Sequence, residues 1–181
     1  MAQPDILLKF GWLSRWFGLA GIGTIVMGAF AAGAVSAAPP KIAFAGGHWA
    51  AIAFGNRCEA RSRPLWFKPE TQPYAGFAFD RAGRPHGVFY VHLGRPARGG
   101  ATVIATIDNQ PFLLAGKGEW AWSANAAQQQ AILKAARYGQ HMRIDSRDRG
   151  GRRIVDRYDL SGAATAIDSA AAACAGKIEP R

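Results

Sequence analysis

Apolar runs separated by turn-forming residues fill most of the chain beyond residue 40. Such runs, bounded by Gly, Pro, Asn and Asp, are typical of β-strands. Segments 80–85 and 108–111 contain the residues that reverse the chain between neighbouring strands, so we expect an antiparallel meander. The predicted strands are residues 41–54, 74–79, 88–93, 101–107 and 112–115. In 88–93 both alternating sets of side chains are largely apolar, which predicts cover on both faces of that strand.

Helix-forming patterns follow the predicted strands. Ser123 stands before segment 124–138, which has apolar residues three and four positions apart and ends before Gly139, a C-terminal stop. Ser161 is the predicted cap of a second helix, whose phase aims Cys174 at the core. The residues that share this face are Ala163, Ile167, Ala170, Ala171 and Cys174.

A hairpin is predicted between the two helices. Residues 141–145 and 153–160 are its strands, and the polar, glycine-ended segment 146–151 is a loop that we expect to protrude into solvent. No internal repeat is visible. The predicted fold class is mostly β (α+β): an antiparallel β-sandwich or barrel-like meander with one mid-domain helix and one C-terminal helix, after an N-terminal hydrophobic signal helix.

The N-terminus has the order of an export signal. Lys9 and Arg15 precede an uncharged stretch, residues 17–35, and small residues at 35–37 stand before two prolines. This predicts a cleavable signal peptide over residues 1–37 and a single exported domain over 38–181. The alternative is an uncleaved inner-membrane anchor that contacts the membrane through 17–35, since these 19 residues approach the roughly 20 needed to span a bilayer. Both readings place 38–181 outside the cytoplasm, in the periplasm or secreted.

Composition adds little about function. The 181 residues carry 22 lysines and arginines against 12 acids, a net charge of +10, and 49% of the residues are hydrophobic. These values exclude a disordered or collagen-like chain and predict one compact core. The exported part, with 20 basic and 11 acidic residues, keeps +9 of the charge.

The chain has two cysteines, Cys58 and Cys174, near the two ends of the exported part. An even count in an oxidising compartment predicts a disulfide, and two unpaired buried thiols are the alternative. Two cysteines this far apart, without a histidine pair at ligand spacing, do not form a zinc signature. We therefore expect neither a metal ion nor another cofactor.

The sequence contains no recognisable set of catalytic residues. His86 and His92 lie about 20 Å apart if they share one strand, too far to bind one metal ion. Ser161 lacks the leading glycine of a nucleophile elbow, so capping is its expected role. Glu119, between glycine and tryptophan, could be a desolvated acid or part of an aromatic ligand-binding wall, but packing of the nearby tryptophans is the simpler interpretation.

The most distinctive polar feature is the arginine-rich segment 143–157, in which three aspartates are interleaved. One interpretation is a solvated hairpin with weak ion pairs. The other is an anion-binding site, for which export disfavours nucleic acid and favours the phosphate groups of lipids or lipopolysaccharide. Arg57, Arg61 and Arg63 could extend such a surface. The candidate anion-binding residues are Arg143, Arg147, Arg149, Arg152, Arg153 and Arg157.

Several short segments resemble a known family. They are Trp49 followed by Cys58, Ile107-Asp108 before Pro111-Phe112-Leu113, the helix end at 135–139, and the tail 158–167. On these residues the chain resembles the invasion associated locus B family of exported proteobacterial proteins. The resemblance implies a mostly β protein of the periplasm or outer surface, linked to invasion or stress resistance, without established catalytic residues. We therefore expect a non-enzymatic protein whose partner is an unknown envelope protein or, on the evidence of its arginines, an anionic envelope surface. An envelope enzyme, or a lipid-binding or lipopolysaccharide-binding protein anchored in the inner membrane, is the alternative.

Overall fold

The computed structural model describes residues 39–81 and 87–180. The predicted signal peptide, the apolar segment 17–35 and His86 lie outside these residues. No helix within the described ranges is long and apolar enough to cross a membrane. The strands are β1 (Lys41–Gly46), β2 (Trp49–Phe54), β3 (Arg57–Ser62), β4 (Tyr74–Asp80), β5 (Val88–His92), β6 (Val103–Ile107), β7 (Gln110–Lys117), β8 (Trp120–Trp122), β9 (His141–Arg147) and β10 (Arg153–Asp159), and the helices are α1 (Ala126–Tyr138) and α2 (Ala163–Cys174).

These ten strands form one antiparallel sheet in the order β1-β2-β3-β4-β5-β8-β7-β6-β9-β10. The first five strands follow one another as a meander, and β8, β7 and β6 then run in reverse order, which brings β6 beside β9. The last strand also approaches the beginning of the sheet, because the Leu65 amide donates to the Arg157 carbonyl at 2.7 Å and the Trp49 ring N–H donates to the Asp159 carbonyl at 2.9 Å. The predicted mostly β (α+β) fold with a mid-domain and a C-terminal helix is confirmed.

Helix α2 covers the inner face of the first strands, with its contacts mainly to β1, β2 and β3. Its buried residues are small, chiefly alanines, so the helix backbone can approach the sheet closely, and Ile167 and Cys174 complete the predicted inward face. Large side chains such as Phe77, Phe89 and Tyr158 fill the remaining interior. Burial of this apolar surface is the main source of the domain's stability.

The first predicted strand, residues 41–54, is wrong in its length. The chain turns at Gly47 and forms two strands, because Gly47 adopts φ +59° and a Cβ there would lie 2.3 Å from the Ser161 carbonyl oxygen. The sequence pattern also missed β3 and β8. In β3 the outward positions are the charged residues Arg57, Glu59 and Arg61, and they hide the apolar alternation that marks a strand.

The predicted C-terminal stop of α1 at Gly139 is confirmed, but both predicted N-terminal caps are wrong. The N-cap of α1 is Asn125, whose side chain accepts from the Gln128 amide, whereas the Ser123 hydroxyl donates to Gln129. Gly162 occupies the N-cap of α2 at φ +86° and makes no side-chain cap bond. A Cβ at Gly162 would lie 2.2 Å from the Gly46 carbonyl oxygen, so close backbone approach requires glycine where the sequence suggested a serine cap.

The hairpin of β9 and β10 is confirmed, but its loop does not protrude freely. The Asp148 side chain is 5% exposed and accepts from Arg95 at 3.0 Å and from Arg152 at 2.9 Å. Ala97 forms an isolated β-bridge with Asp148. The loop therefore folds back against residues 95–98, where Arg95 pairs with Asp148 and the Arg98 amide donates to the Arg147 carbonyl.

Candidate functional site

A disulfide joins Cys58 in β3 to Cys174 in α2, with 5.6 Å between the two Cα atoms. The predicted pairing is confirmed. Because side chains alternate along a strand, the inward direction of Cys58 turns its neighbours Arg57 and Glu59 to the outer face of the sheet, together with Arg61. The covalent link to α2 thus fixes the strand that carries these charges.

Glu59 is the centre of a buried ionic cluster on that outer face. Its side chain is 2% exposed and accepts from three donors: Arg57 at 2.5 Å, Arg61, and the Tyr90 hydroxyl at 2.6 Å. A buried carboxylate is tolerated only when it is paired and hydrogen-bonded, as it is here. We call these four residues, Arg57, Glu59, Arg61 and Tyr90, the Glu59 cluster.

Gly76 makes room for this cluster. It lies opposite Arg61 on β3 and opposite Tyr90 on β5. A Cβ at Gly76 would lie 2.8 Å from the Tyr90 hydroxyl and 2.6 Å from the Ala60 carbonyl oxygen. Any side chain at this position would therefore push Tyr90 away from Glu59.

Burial and charge fix the protonation of the cluster. Burial raises the pKa of the Tyr90 hydroxyl, and the Glu59 carboxylate raises it further, so Tyr90 remains a neutral donor. Burial lowers the pKa of Arg61, but Tyr90 and Glu59 together outweigh that effect and the net pKa is raised. The cluster therefore contains two cations, one anion and one neutral hydroxyl.

Aromatic rings continue the outer face beside Arg61. The Arg61 guanidinium lies 4.3 Å from the Tyr74 ring centroid, and Tyr74 stacks on His92 at 5.0 Å and meets Trp120 edge-on at 5.9 Å. His92 contacts the Glu119 carboxylate at 3.2 Å. Trp120 and Trp122 are about 40% exposed, so both tryptophans lie on the surface of the sheet and not in the core.

A cleft of about 630 Å³ opens next to Arg61, between the β1–β2 turn and the segment that follows β3. Arg61 and Arg63 both line it, and no aspartate or glutamate is among its described lining residues. We call it the arginine cleft. Its other walls include His48, Ile52, Leu65, Gln72 and Tyr74.

The hairpin brings four of the six predicted anion-binding arginines onto one outward face. Across the two strands Arg143 lies opposite Arg157, and Arg147 lies opposite Arg153. Asp145 stands between the two pairs and contacts Arg143 at 2.6 Å and Arg153 at 3.6 Å. These five residues are the hairpin face.

The other two predicted arginines lie on the loop. Arg152 is paired with the buried Asp148, so part of its charge is neutralised. Arg149 is exposed and has no ion-pair partner among the described residues. The structure therefore separates the predicted set into a four-arginine face and two loop positions.

A second cleft, of about 570 Å³, lies beside the hairpin face. Arg143, Arg157 and His141 line it, and so does Tyr158, whose buried hydroxyl has no hydrogen-bond partner among the described residues. Leu65 lines both this cleft and the arginine cleft. Because the Leu65 amide also donates to the Arg157 carbonyl, the segment after β3 lies next to β10, and the two clefts adjoin at Leu65.

The remaining candidates lie apart from one another. His48 lines the arginine cleft, His141 the second cleft, and His92 the aromatic part of the outer face. Ser161 is exposed at the β10–α2 junction, where its amide donates to Asp159. In residues 39–81 and 87–180 no group of three or more metal-ligating side chains comes together.

Sequence reasoning missed the Glu59 cluster. The alternation Arg57-x-Glu59-x-Arg61 was available as a pattern that puts three charges on one strand face. Nothing in the sequence indicates that Tyr90, 31 residues away, completes the site.

Comparison with protein-family models, with curated proteins and with solved structures finds no match to this chain.

Proposed function

We propose that this chain is a non-enzymatic, exported protein of the cell envelope, of the invasion associated locus B type, and that its β-rich domain binds anionic envelope surfaces through the hairpin face. The export-like order of residues 1–37 supports the location, and the disulfide of Cys58 and Cys174 suits an oxidising compartment. The short segments that resemble the family support the type.

The hairpin face carries the binding part of the proposal. Like charges directly opposite each other destabilise a sheet, and this face contains two such pairs, Arg143 with Arg157 and Arg147 with Arg153. One aspartate, Asp145, offsets four arginines. An arrangement that costs stability is explained by an external partner, and lipid or lipopolysaccharide phosphates supply the missing negative charge.

The arrangement of the acids favours binding over catalysis. The Glu59 side chain is 2% exposed and its oxygens already accept from three donors, so a substrate cannot reach it. The pair that an envelope enzyme would use is His92 with Glu119, but neither residue lines the arginine cleft or the second cleft. A general base needs a substrate within hydrogen-bond reach, which a cleft would provide.

Vesicle co-sedimentation tests the binding. The exported protein should sediment with vesicles of anionic phospholipid at low salt and be released between about 0.1 M and 1 M salt, as the Debye length shrinks from about 10 Å to about 3 Å. Replacing Arg143, Arg147, Arg153 and Arg157 by serine should abolish sedimentation. The matched control replaces four exposed basic residues elsewhere, Lys41, Arg81, Lys134 and Lys177, by serine.

The control variant should still sediment, since it loses the same charge from other surfaces. Equal sedimentation of both variants would show that binding does not depend on the hairpin face and would contradict the proposal. Sedimentation of the hairpin variant together with loss of sedimentation by the control variant would contradict it as well. Location is tested separately by mass spectrometry of the envelope-derived protein. Cleavage predicts a mature N-terminus at Ala38 or Pro39, whereas intact residues 1–37 would show the anchored form.

A further inference from the structure

We propose that the arginine cleft binds a small molecule that has an anionic group, a carboxylate or a phosphate monoester, attached to a planar apolar group. This site is distinct from the hairpin face. It takes a single small molecule and not a charged surface. The proposal rests on the state of Arg61, the charge of the cleft and the chemistry of its walls.

Arg61 is held in place before any ligand arrives. Its guanidinium contacts Glu59, lies 3.4 Å from the Tyr90 hydroxyl and stacks on Tyr74. A guanidinium has five N–H donors in a rigid fork, and these contacts use two of them. Three donors remain on a planar group of fixed orientation, which suits a two-point contact with a carboxylate or phosphate.

The cleft has an excess of positive charge. Glu59 balances one of its two arginine partners, so the Glu59 cluster keeps a net charge of +1. Arg63, on the neighbouring wall, has no ion-pair partner among the described residues and lies 5.4 Å from the Phe67 ring centroid. No acid is among the described lining residues, so an anion in the cleft would meet Arg61 and Arg63 directly, while Glu59 lies behind Arg61 and is 2% exposed.

The walls of the cleft favour a ligand with an apolar group next to its anion. Ile52, Pro64, Leu65 and the Tyr74 ring give it apolar surface next to the two guanidinium groups. Its volume of about 630 Å³ lies within the range of small-molecule sites. Gln72, also in the wall, adopts φ +43°, and non-glycine residues in this strained region cluster at ligand sites.

Isothermal titration calorimetry of the exported protein with phenyl phosphate tests the site. We expect saturable binding with one site per chain. Benzoate should bind in the same site, whereas phenol, which lacks the anion, and inorganic phosphate, which lacks the apolar group, should each bind at least about tenfold more weakly, because each loses one of the two recognition elements.

Three variants locate the binding. Arg63→Gln removes one exposed cation without touching the Glu59 cluster and should weaken phenyl phosphate binding about tenfold. Arg61→Lys keeps the charge but loses the planar fork and should weaken binding by a similar factor. Lys134→Gln, which removes an exposed charge from α1, should leave binding unchanged. Because Arg63 is exposed, its variant remains informative even if Arg61→Lys does not fold.

The proposal would be overturned by no binding of phenyl phosphate or benzoate, by equal binding of phenol or inorganic phosphate, or by equal weakening from Arg63→Gln and Lys134→Gln. The hairpin variant separates this proposal from the proposed function. With all four of its arginines replaced by serine, it should lose vesicle binding and keep phenyl phosphate binding. Loss of both by that variant would place the small anion on the hairpin face and refute a separate site.

Discussion

Two arginine-rich regions on the outer face of the sheet, the Glu59 cluster and the hairpin face, differ in how deeply their carboxylates are buried. In the Glu59 cluster the carboxylate is 2% exposed and two arginines and a tyrosine converge on it. In the hairpin face the carboxylate of Asp145 is about a quarter exposed and pairs with two of the four arginines, Arg143 and Arg153, whose side chains are half-exposed or more.

This contrast separates stability from binding. Removing one member of a buried pair leaves an uncompensated charge in a medium of low polarity and costs several kcal/mol. An exposed pair is screened by water and is worth about 0–1 kcal/mol. We therefore expect changes in the Glu59 cluster to act mainly on folding, and changes in the hairpin face to act mainly on association with anions.

Removing the disulfide should have the largest effect. The bond closes a separation of 116 residues, for which the chain-entropy model gives about 4–5 kcal/mol. Cys58→Ala with Cys174→Ala should lower the free energy of unfolding by about 4 kcal/mol, measured by urea denaturation. Because Cys58 adjoins Glu59, hydrogen exchange should rise more in β3 than in β9. Equal increases in both strands would contradict the idea that the bond specifically supports the cluster.

Glu59→Gln should destabilise the protein by about 3 kcal/mol, because it leaves Arg57 and Arg61 without their counter-charge. Denaturant titration measures the change. Glu119→Gln is the matched control, since Glu119 lies on the same outer face but is 41% exposed, and its loss should cost less than about 0.5 kcal/mol. Similar losses of unfolding free energy in both variants would show that burial of the acid does not determine its contribution to stability.

Asp156, on the inner side of the hairpin, gives a pH-dependent test. Burial raises the pKa of its carboxyl to about 6 from an ordinary 3.8, although Arg95 opposes the rise. The folded protein therefore holds this proton more tightly than the unfolded chain, and its stability falls as the pH rises from about 4 to about 6 and stays lower above that range.

Asp156→Asn removes this loss, because the amide has no charge to desolvate. We expect the variant to be about 2 kcal/mol more stable than the unaltered protein at pH 7.5 and to have a much smaller advantage at pH 4. Thermal or urea unfolding at the two pH values measures this. A gain that is equal at both pH values would assign the effect to packing.

Asp145→Asn should have the smallest effect on stability, within about 0.5 kcal/mol, because its arginine partners are half-exposed or more and water screens the ion pairs. Its effect on binding has a clear sign. Removing the single acid from the hairpin face raises the local positive charge by one, so sedimentation with anionic vesicles should persist to higher salt. Weaker sedimentation of this variant would contradict an electrostatic role for the face.

The sequence was sufficient for what depends on local patterns. Alternation and turn residues predicted the hairpin of β9 and β10, and the helix phase of α2 predicted the inward direction of Cys174. It was not sufficient for features that depend on distant contacts. Gly162 replaces a serine cap because the Gly46 backbone lies against it, and Asp148 is buried because Arg95 comes to it from another segment.

The candidate site divides in the same way. The four arginines of the hairpin face lie within one segment of 15 residues, so the sequence alone could predict that they group together. The Glu59 cluster joins β3 to β5, and the arginine cleft joins the β1–β2 turn to the segment after β3. Only the three-dimensional arrangement of the strands brings these groups together.

The packing of α2 has a consequence for the order of folding. Among residues 39–81 and 87–180 this helix is the last element, yet it covers β1, β2 and β3, which are the first three. During synthesis β2 and β3 are made before α2, so the part of their inner face that α2 covers is exposed until this helix forms. Contacts of such long sequence separation form slowly. A chain cut short before residue 163 would therefore leave this part of the inner face exposed and prone to aggregation.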